Sequence, residues 1–510
     1  MAPKNTEPPL FSNISNNIQP AFTHNENRYN DFYHQVLLPH KMSNFGPALA
    51  KGDINGDGRE DVFVGNGSTF PAKIYLQTES DSFEYLQTSI ENDSIYEDLD
   101  AHFFDADGDG DNDLYVVSGG NVFPDGSWEY EDRLYINING HFERSMDAIP
   151  SIHASGGRVI PHDYDQDGDI DLFVTGRLKP HAYPDPGESF LLENVTVHAD
   201  EILFENVTQK VMPKIARLGM ITDGVFADIN GNGLDELILV GEWTGLLAFT
   251  LNKGQYQPFE STLSDYKGWW FSLAQADVDH DGDIDLVAGN LGLNYKYQAS
   301  DEATFDLYVD DFDLNNSQDL VLGYFNNGEQ FPVRGRQCSS EQIPAIEAKF
   351  KDYNSFASAS LESIYGKKGL EDALHLQISS FSSKVFINDG KGNFEATDLP
   401  IEAQYSPIND LIITDIDQDS IPDIILAGNL FASEVETPRA DAGVGLLLKG
   451  NGDGSFKTVP MSQSGLILRE DTKSLMLLAG SQSSKLLFAA SNQGSLKAFS
   501  LNLDTQTGTH

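Results

Sequence analysis

Hydrophobic positions in this chain come in short alternating runs rather than helical stripes. Runs such as "FGPALAKG" and "GMITDGVFA" lead into aspartate-rich polar stretches, and runs such as "DLYVVSG" follow at once. Period-two apolar segments bounded by Gly, Asn and Asp predict strands. Further on come weaker strand pairs joined by glycine turns: "RLYINING" at Tyr135, "KVFINDGKGNF" at Phe386 and "LLLKGNGDGSF" at Leu447. The unit is strand, polar loop, strand, strand, strand, a four-stranded antiparallel sheet repeated along the chain. Internal repetition decides the architecture before anything else. A ring of such sheets protects its own edges, so the expected fold class is all-β, a β-propeller.

Counting innermost strands gives the seven that precede polar loops plus "SLMLLAG" near Leu477, hence eight blades. The crowding of the Asp277 and Asp311 units keeps seven as the alternative. The last unit, "KLLFAASNQGSLKAFSLN", is one strand short, and "IQPAFTHNE" is expected to supply it. The expected boundaries are a polar, Pro/Asn-rich flexible tether over 1–20, the propeller over 21–504, and a helical insertion over 339–376. Within that insertion Ser residues cap, Ile346, Phe350 and Tyr353 form an apolar stripe, and Gly366 is a stop.

The polar stretches are themselves a repeat. Seven copies fit D-x-[DN]-x-[DN]-G-x-x-[DE], beginning at Asp53, Asp105, Asp163, Asp228, Asp277, Asp311 and Asp415. Side-chain oxygens at positions 1, 3 and 5, a backbone carbonyl at 7 and a carboxylate at 9 make the hard oxygen shell that Ca²⁺ prefers. The candidate ligands are Asp53, Asn55, Asp57, Arg59 and Asp61; Asp105, Asp107, Asp109, Asp111 and Asp113; and Asp163, Asp165, Asp167, Asp169 and Asp171. Next come Asp228, Asn230, Asn232, Leu234 and Glu236, then Asp277, Asp279, Asp281, Asp283 and Asp285. The last two sets are Asp311, Asp313, Asn315, Ser317 and Asp319, and Asp415, Asp417, Asp419, Ile421 and Asp423. An EF-hand would need Glu at position 12, where this chain has Val64, Val116, Val174, Leu239 or Ala288 inside a strand. Copies differ. The Asp105, Asp163 and Asp277 loops carry four carboxylates at 1, 3, 5 and 9, and with the Asp53 loop are expected to bind best. The Asp228 loop has only Asp228 and Glu236, while Asn316 and Ser420 replace glycine in the Asp311 and Asp415 loops.

Charge fits this chemistry. With 79 acidic and 32 basic residues the net charge is −47, which excludes nucleic acid and anionic membrane surfaces as partners. Up to seven Ca²⁺ would offset about 14 of those charges. Cys338 is the only cysteine, so neither an intrachain disulfide nor a thiolate zinc cluster exists. No apolar run is long enough for a transmembrane helix, and "MAPKNTEPPLFSN" shows no basic-then-apolar leader. Calcium loops favour an extracellular or cell-surface setting all the same.

The repeats resemble the FG-GAP/VCBS type of integrin α-subunit heads. From about Phe22 the chain is similar to large bacterial surface proteins allied to the cartilage acidic protein/UnbV group. The runs that carry this are "GPALAKGDINGDGREDVFVGN", "LILVGEW", "GWW", "GNLGLN", "AQYSPI" and "RADAGVG". The resemblance implies an exported, calcium-loaded propeller, often a lipoprotein of the outer membrane or cell surface. This chain departs from it in lacking a signal and an anchor cysteine, and in its weak loops at Asp228 and Asp415.

Antiparallel strands send the ends of second strands to the face opposite the calcium loops. All four tryptophans fall there: Trp128, Trp243, Trp269 and Trp270. Asn66, Arg177, Glu242, Asn290 and Asn429 join them, and longer loops add Tyr130, Tyr183, Asn294, Tyr295, Arg439 and Asp441. Aromatic rings among Asn, Arg and acidic groups suit a glycan or protein ligand. The bland alternative packs the tryptophans between blades. Catalytic motifs are missing, with no G-x-S-x-G, no phosphate loop and no H-E-x-x-H, so a non-enzymatic role is expected. Two competing expectations remain open. One is a polysaccharide-degrading enzyme using Arg177, Tyr183 and Arg439; the other is an accessory subunit of an outer-membrane complex docked through the helical insertion.

Overall fold

The computed structural model describes residues 8–198, 201–215, 217–481 and 484–502. They form an all-β molecule of eight sheets, each built on four antiparallel strands. Blade 1 is Leu49–Gly52, Asp61–Val64, Lys73–Gln77 and Phe83–Leu86. Blade 2 is Asp98–Phe104, Asp113–Ser118, Arg133–Ile138 and His141–Ser145. Blade 3 is Gly156–His162, Asp171–Gly176, Phe190–Asn194 and Phe204–Asn206. Blade 4 is Met220–Ala227, Glu236–Thr244, Leu247–Asn252 and Gln255–Pro258. Blade 5 is Ser272–Ala276, Asp285–Gly289, Lys384–Asn388 and Phe394–Asp398. Blade 6 is Asp410–Thr414, Asp423–Ala427, Leu446–Gly450 and Phe456–Thr458.

The first strands of these blades lie side by side in chain order. Asp471–Ala479, the first strand of blade 7, lies beside blade 6 on one side and returns to blade 1 on the other. Apolar clusters fill the joints between neighbours. Phe63, Ile74, Phe103 and Leu114 join blades 1 and 2, and Val62, Tyr75, Leu478 and Phe488 join blades 7 and 1. Side chains alternate along each strand, so every blade offers one apolar face to each neighbour, and burying those faces drives the closure.

The eighth sheet lies outside this circuit. Its strands Phe305–Asp310, Asp319–Asn326, Glu329–Pro332 and Leu374–Ile378 are inserted between the second and third strands of blade 5. The expected count of eight therefore treated an inserted sheet, with its own Asp311 loop, as a blade. Helical turns do occur where expected, as five short helices between Arg336–Gln342 and Lys367–Asp372 that pack around Ile343, Ile346, Phe356 and Ile364. Of the expected stripe Ile346 is buried, Phe350 is half-buried and Tyr353 is exposed. The stretch 374–376, read with the helices, is strand.

The strand closing blade 7 is Phe11–Asn13, paired antiparallel to Lys497–Leu501 with Phe11 opposite Leu501. This corrects two expectations. Residues 8–20 belong to the fold instead of to a tether, and Ile18–Gln19 pairs with the outer strand of blade 1 rather than closing blade 7. Residues 1–7 and 503–504 lie outside the described residues. Residues 29–45 then cross the face opposite the polar loops, held by reciprocal bonds between Gln35 and Tyr183 at 2.8 and 2.9 Å. Buried Asp31 accepts from Met42 N, Ser43 Oγ and Asn121 Nδ2. Among the described residues no helix is long and apolar enough to cross a membrane.

Candidate metal loops and the opposite face

Every polar loop is folded by its own side chains. In blade 2, Asp105 Oδ1 accepts from Gly108 N at 2.7 Å and Asp109 N at 3.1 Å, and its Oδ2 accepts from Gly110 N at 3.0 Å. Asp107 and Asp109 each accept from the N–H two residues on, at 3.0 Å. Asp113, at position 9, is buried and accepts from Ala106 N at 3.0 Å and Asn137 N at 2.8 Å, tying loop to third strand. Asp61, Asp171, Asp285 and Asp423 repeat this two-ended tie. The winding requires left-handed backbone at position 6, as expected, and also at position 4. There φ is positive at Gly56, Gly108, Gln166, Gly231, His280, Leu314 and Gln418. Sequence reasoning missed position 4 because only three of the seven copies spell it with glycine.

Five loops bring three carboxylates within 4.8 Å of one another: Asp105/Asp107/Asp113, Asp163/Asp165/Asp171, Asp277/Asp279/Asp285, Asp311/Asp313/Asp319 and Asp415/Asp417/Asp423. The position-5 acids Asp109, Asp167, Asp281 and Asp419 stand outside these triplets. Burial pushes the position-9 acids up, with loop carboxylates adding to it: Asp113, Asp171 and Asp319 to about 7, Asp61 and Asp285 to about 6. Buried Oδ1 atoms of Asp277, Asp313 and Asp417 have no hydrogen-bond partner among the described residues. Hard oxygen donors, mutual repulsion and orphaned lone pairs together fit a divalent cation such as Ca²⁺.

Three loops fit less well. Arg59 pairs with Asp57 in blade 1, so one ligand already has a cationic neighbour. In blade 4, Asn230 Nδ2 and Thr250 Oγ1 both donate to Glu236 Oε1, at 2.6 and 2.8 Å. In blade 6 the Lys449 ammonium contacts Asp417 and lies 3.0 Å from Asp419 Oδ2. That loop also holds Ser420 at φ +70° where most copies have glycine.

The opposite face differs from expectation. Trp269 and Trp270 are fully buried and Trp243 nearly so; only Trp128 is open, at 51%. Trp243 and Trp269 pack against Phe305 of the inserted sheet, and Trp270 fills the joint between blades 4 and 5. Tyr130, Tyr183, Arg177, Glu242, Asn66, Asn290 and Asn429 are buried as well. Asn290 Oδ1 accepts from Trp269 N and Leu291 N, while its amide reaches Ser380 O. Arg439 is exposed, paired with Asp441 at 2.9 Å, and Asn294 is exposed beside half-buried Tyr295. These residues do lie on one face, but the insertion and residues 29–45 cover it. The covering module instead opens its own cleft of about 550 Å³, lined by Tyr297, Phe305, Tyr324, Phe325, Pro332 and Lys296.

The FG-GAP-like repeat family matches residues 53–116, 105–174 and 228–288, each span running from one polar loop through the strands beyond it. The chain is a β-propeller that carries three FG-GAP-like repeats. Among solved structures the chain is similar to the V. cholerae biofilm matrix protein Bap1, with 11% identity and a TM-score of 0.41 over 98% of this chain and 92% of that one. It is also similar to BBS1N, solved in complex with ARL6DN, with 10% identity and a TM-score of 0.40 over 92% and 96%. The Dos1 propeller matches with 10% identity and a TM-score of 0.38 over 94% and 95%. No curated protein matches the chain by sequence.

Proposed function

We propose that this propeller is a calcium-stabilised, non-catalytic binding module displayed outside the cytoplasm. It takes a glycan or protein partner in the cleft of its inserted module. The supporting observation is the cleft itself. Its volume, about 550 Å³, lies within the ~300–1,000 Å³ range of ligand sites. Tyr297 and Phe305 are buried and form its floor, exposed Tyr324 and half-buried Phe325 offer stacking surface, and Lys296, Gln298 and Ser300 supply polar groups at its edge. Rigid aromatics with a few polar neighbours bind at low entropic cost, whether the partner brings a sugar face or an apolar side chain. The insertion leaves blade 5 from the face opposite the blades' metal loops, and its own Asp311 loop joins the ends of Phe305–Asp310 and Asp319–Asn326 away from the cleft residues Phe305 and Tyr324. Calcium is structural in this reading: it offsets the loop carboxylates and locks first to second strands. Extracellular calcium modules work at ~10⁻⁴–10⁻³ M, which agrees with display outside the cell.

A glycan array probed with the full chain in millimolar calcium tests the proposal. Saturable binding that falls at least tenfold in Tyr324→Ala supports a sugar ligand at this cleft. Tyr324 is 41% exposed, so the substitution leaves the core intact. Release of oligosaccharide products during the assay would replace binding by catalysis.

A further inference from the structure

The propeller axis holds a second, smaller site of opposite chemistry. A cavity of about 70 Å³ lies where the first strands converge beneath residues 40–45, and its wall includes His40, Lys41, Arg158, Arg177 and Lys473. No carboxylate lines it among the described residues, in a chain whose net charge is −47. The counter-ions stand behind the cations: Asp100 is 3.3 Å from Arg158, Asp471 is 2.8 Å from Lys473, and Glu242 pairs with Arg177 and lies 3.5 Å from His40. Lys41 donates to the neutral carbonyl of Tyr29 at 3.0 Å. Arg177 is 8% exposed and stacks on Phe45 at 4.0 Å, yet its Nε has no hydrogen-bond partner among the described residues. An unmet charged donor at such depth is costly unless something supplies oxygen.

We propose that this axial cavity binds a small oxyanion, a sulfate, phosphate or carboxylate group held by Arg177 Nε with Lys41, Lys473 and Arg158 around it. Arginine and lysine converging in a low-dielectric pocket give charge-assisted bonds that water cannot match. The cavity is far below the ~300 Å³ of sites for drug-sized ligands, so only the anionic group itself enters. The site is independent of the cleft in the inserted module. Its bound anion would join residues 40–45 to blades 3 and 7 at the axis.

Isothermal titration of the full chain with sodium sulfate and with sodium acetate, at ionic strength held constant with chloride, is the first test. The expected result is saturable binding of one anion, weakened at least tenfold in both Lys41→Met and Lys473→Met at a temperature where each variant is folded; Lys473→Met also melts lower in chloride, because it leaves buried Asp471 without its cation. Preference for sulfate would mark a tetrahedral ligand, and preference for acetate a carboxylate. A crystal soaked in selenate should show an anomalous peak within hydrogen-bond distance of Arg177. No saturable heat with either salt, or a cavity containing only water, would overturn the proposal. So would binding that both lysine variants leave intact.

Discussion

Removing calcium should reach far into this fold, and its size can be worked from the loops. Those at Asp105, Asp163 and Asp277 carry carboxylates at all four ligand positions, and each gathers three of them within 4.8 Å. A cation that binds the folded loop and not the unfolded chain adds RT ln(1 + [Ca²⁺]/Kd). With Kd of ~10⁻⁴–10⁻³ M, about 10 mM calcium is a ten- to hundredfold excess. Each loop then gains ~1.4–2.7 kcal/mol and the three together ~4–8 kcal/mol. That rivals the ~5–15 kcal/mol by which domains are usually stable. Urea unfolding followed by tryptophan fluorescence, in calcium and in EDTA, measures the difference. Asp107→Asn isolates one loop: the amide oxygen can keep the bond from Asp109 N, and Asp113 keeps both of its own. The variant should lose ~1–3 kcal/mol in calcium and almost nothing in EDTA. Equal unfolding in calcium and EDTA would refute the metal assignment. Equal losses for Asp107→Asn in both buffers would reduce Asp107 to a turn residue.

Other expectations follow from single features. Lys449→Met removes the ammonium from the Asp415 loop, so native mass spectrometry in calcium should count one more bound ion; an unchanged count would show that the lysine is not what keeps it out. Asp61, Asp113, Asp171, Asp285 and Asp319 have folded pKa values of about 6 to 7 against ~3.9 when unfolded. In EDTA the folded state thus holds extra protons between about pH 4 and 7, and these groups lose stability as pH rises through that window. Calcium needs the same groups ionised, so the rise in melting temperature on adding calcium should be larger at about pH 8 than at about pH 5; a rise independent of pH would contradict those shifts. Phe11→Ala empties a site that is 1% exposed in the strand closing blade 7. Urea titration should show a loss of ~3–5 kcal/mol, and a loss below about 1 kcal/mol would mean the ring does not depend on that strand.

The repeat made most of the architecture legible. Seven loops with a common spelling, each before an alternating strand, are enough to place strands, turns and the buried acid at position 9. The inserted sheet escaped because a four-stranded unit with its own Asp311 loop reads like any blade. Its trace is the wide separation of Ala288 from Lys384, which pair across adjoining strands of blade 5. The tryptophans were assigned to the correct face for a sound reason, strand direction. What covers that face comes from residues far off in sequence, namely 29–45 and Phe305, and no local pattern announces such packing. Composition also misled at the N-terminus. Pro and Asn around "LFSN" suggested a tether, whereas its partner strand lies at the other end of the chain.

The joining of Phe11–Asn13 to Lys497–Leu501 has a consequence for synthesis. Phe11 is synthesised about 490 residues before Leu501, its partner (501 − 11), so it waits for the stretch between them. At ~5–20 residues per second that wait is roughly 25–100 s. Throughout it, Phe11 is an apolar side chain on an unpaired strand, and blade 1 has no neighbour on its blade 7 side. Interrupted translation products would therefore all share the same open edge, whatever their length, and a quality-control system would need to recognise only that one feature.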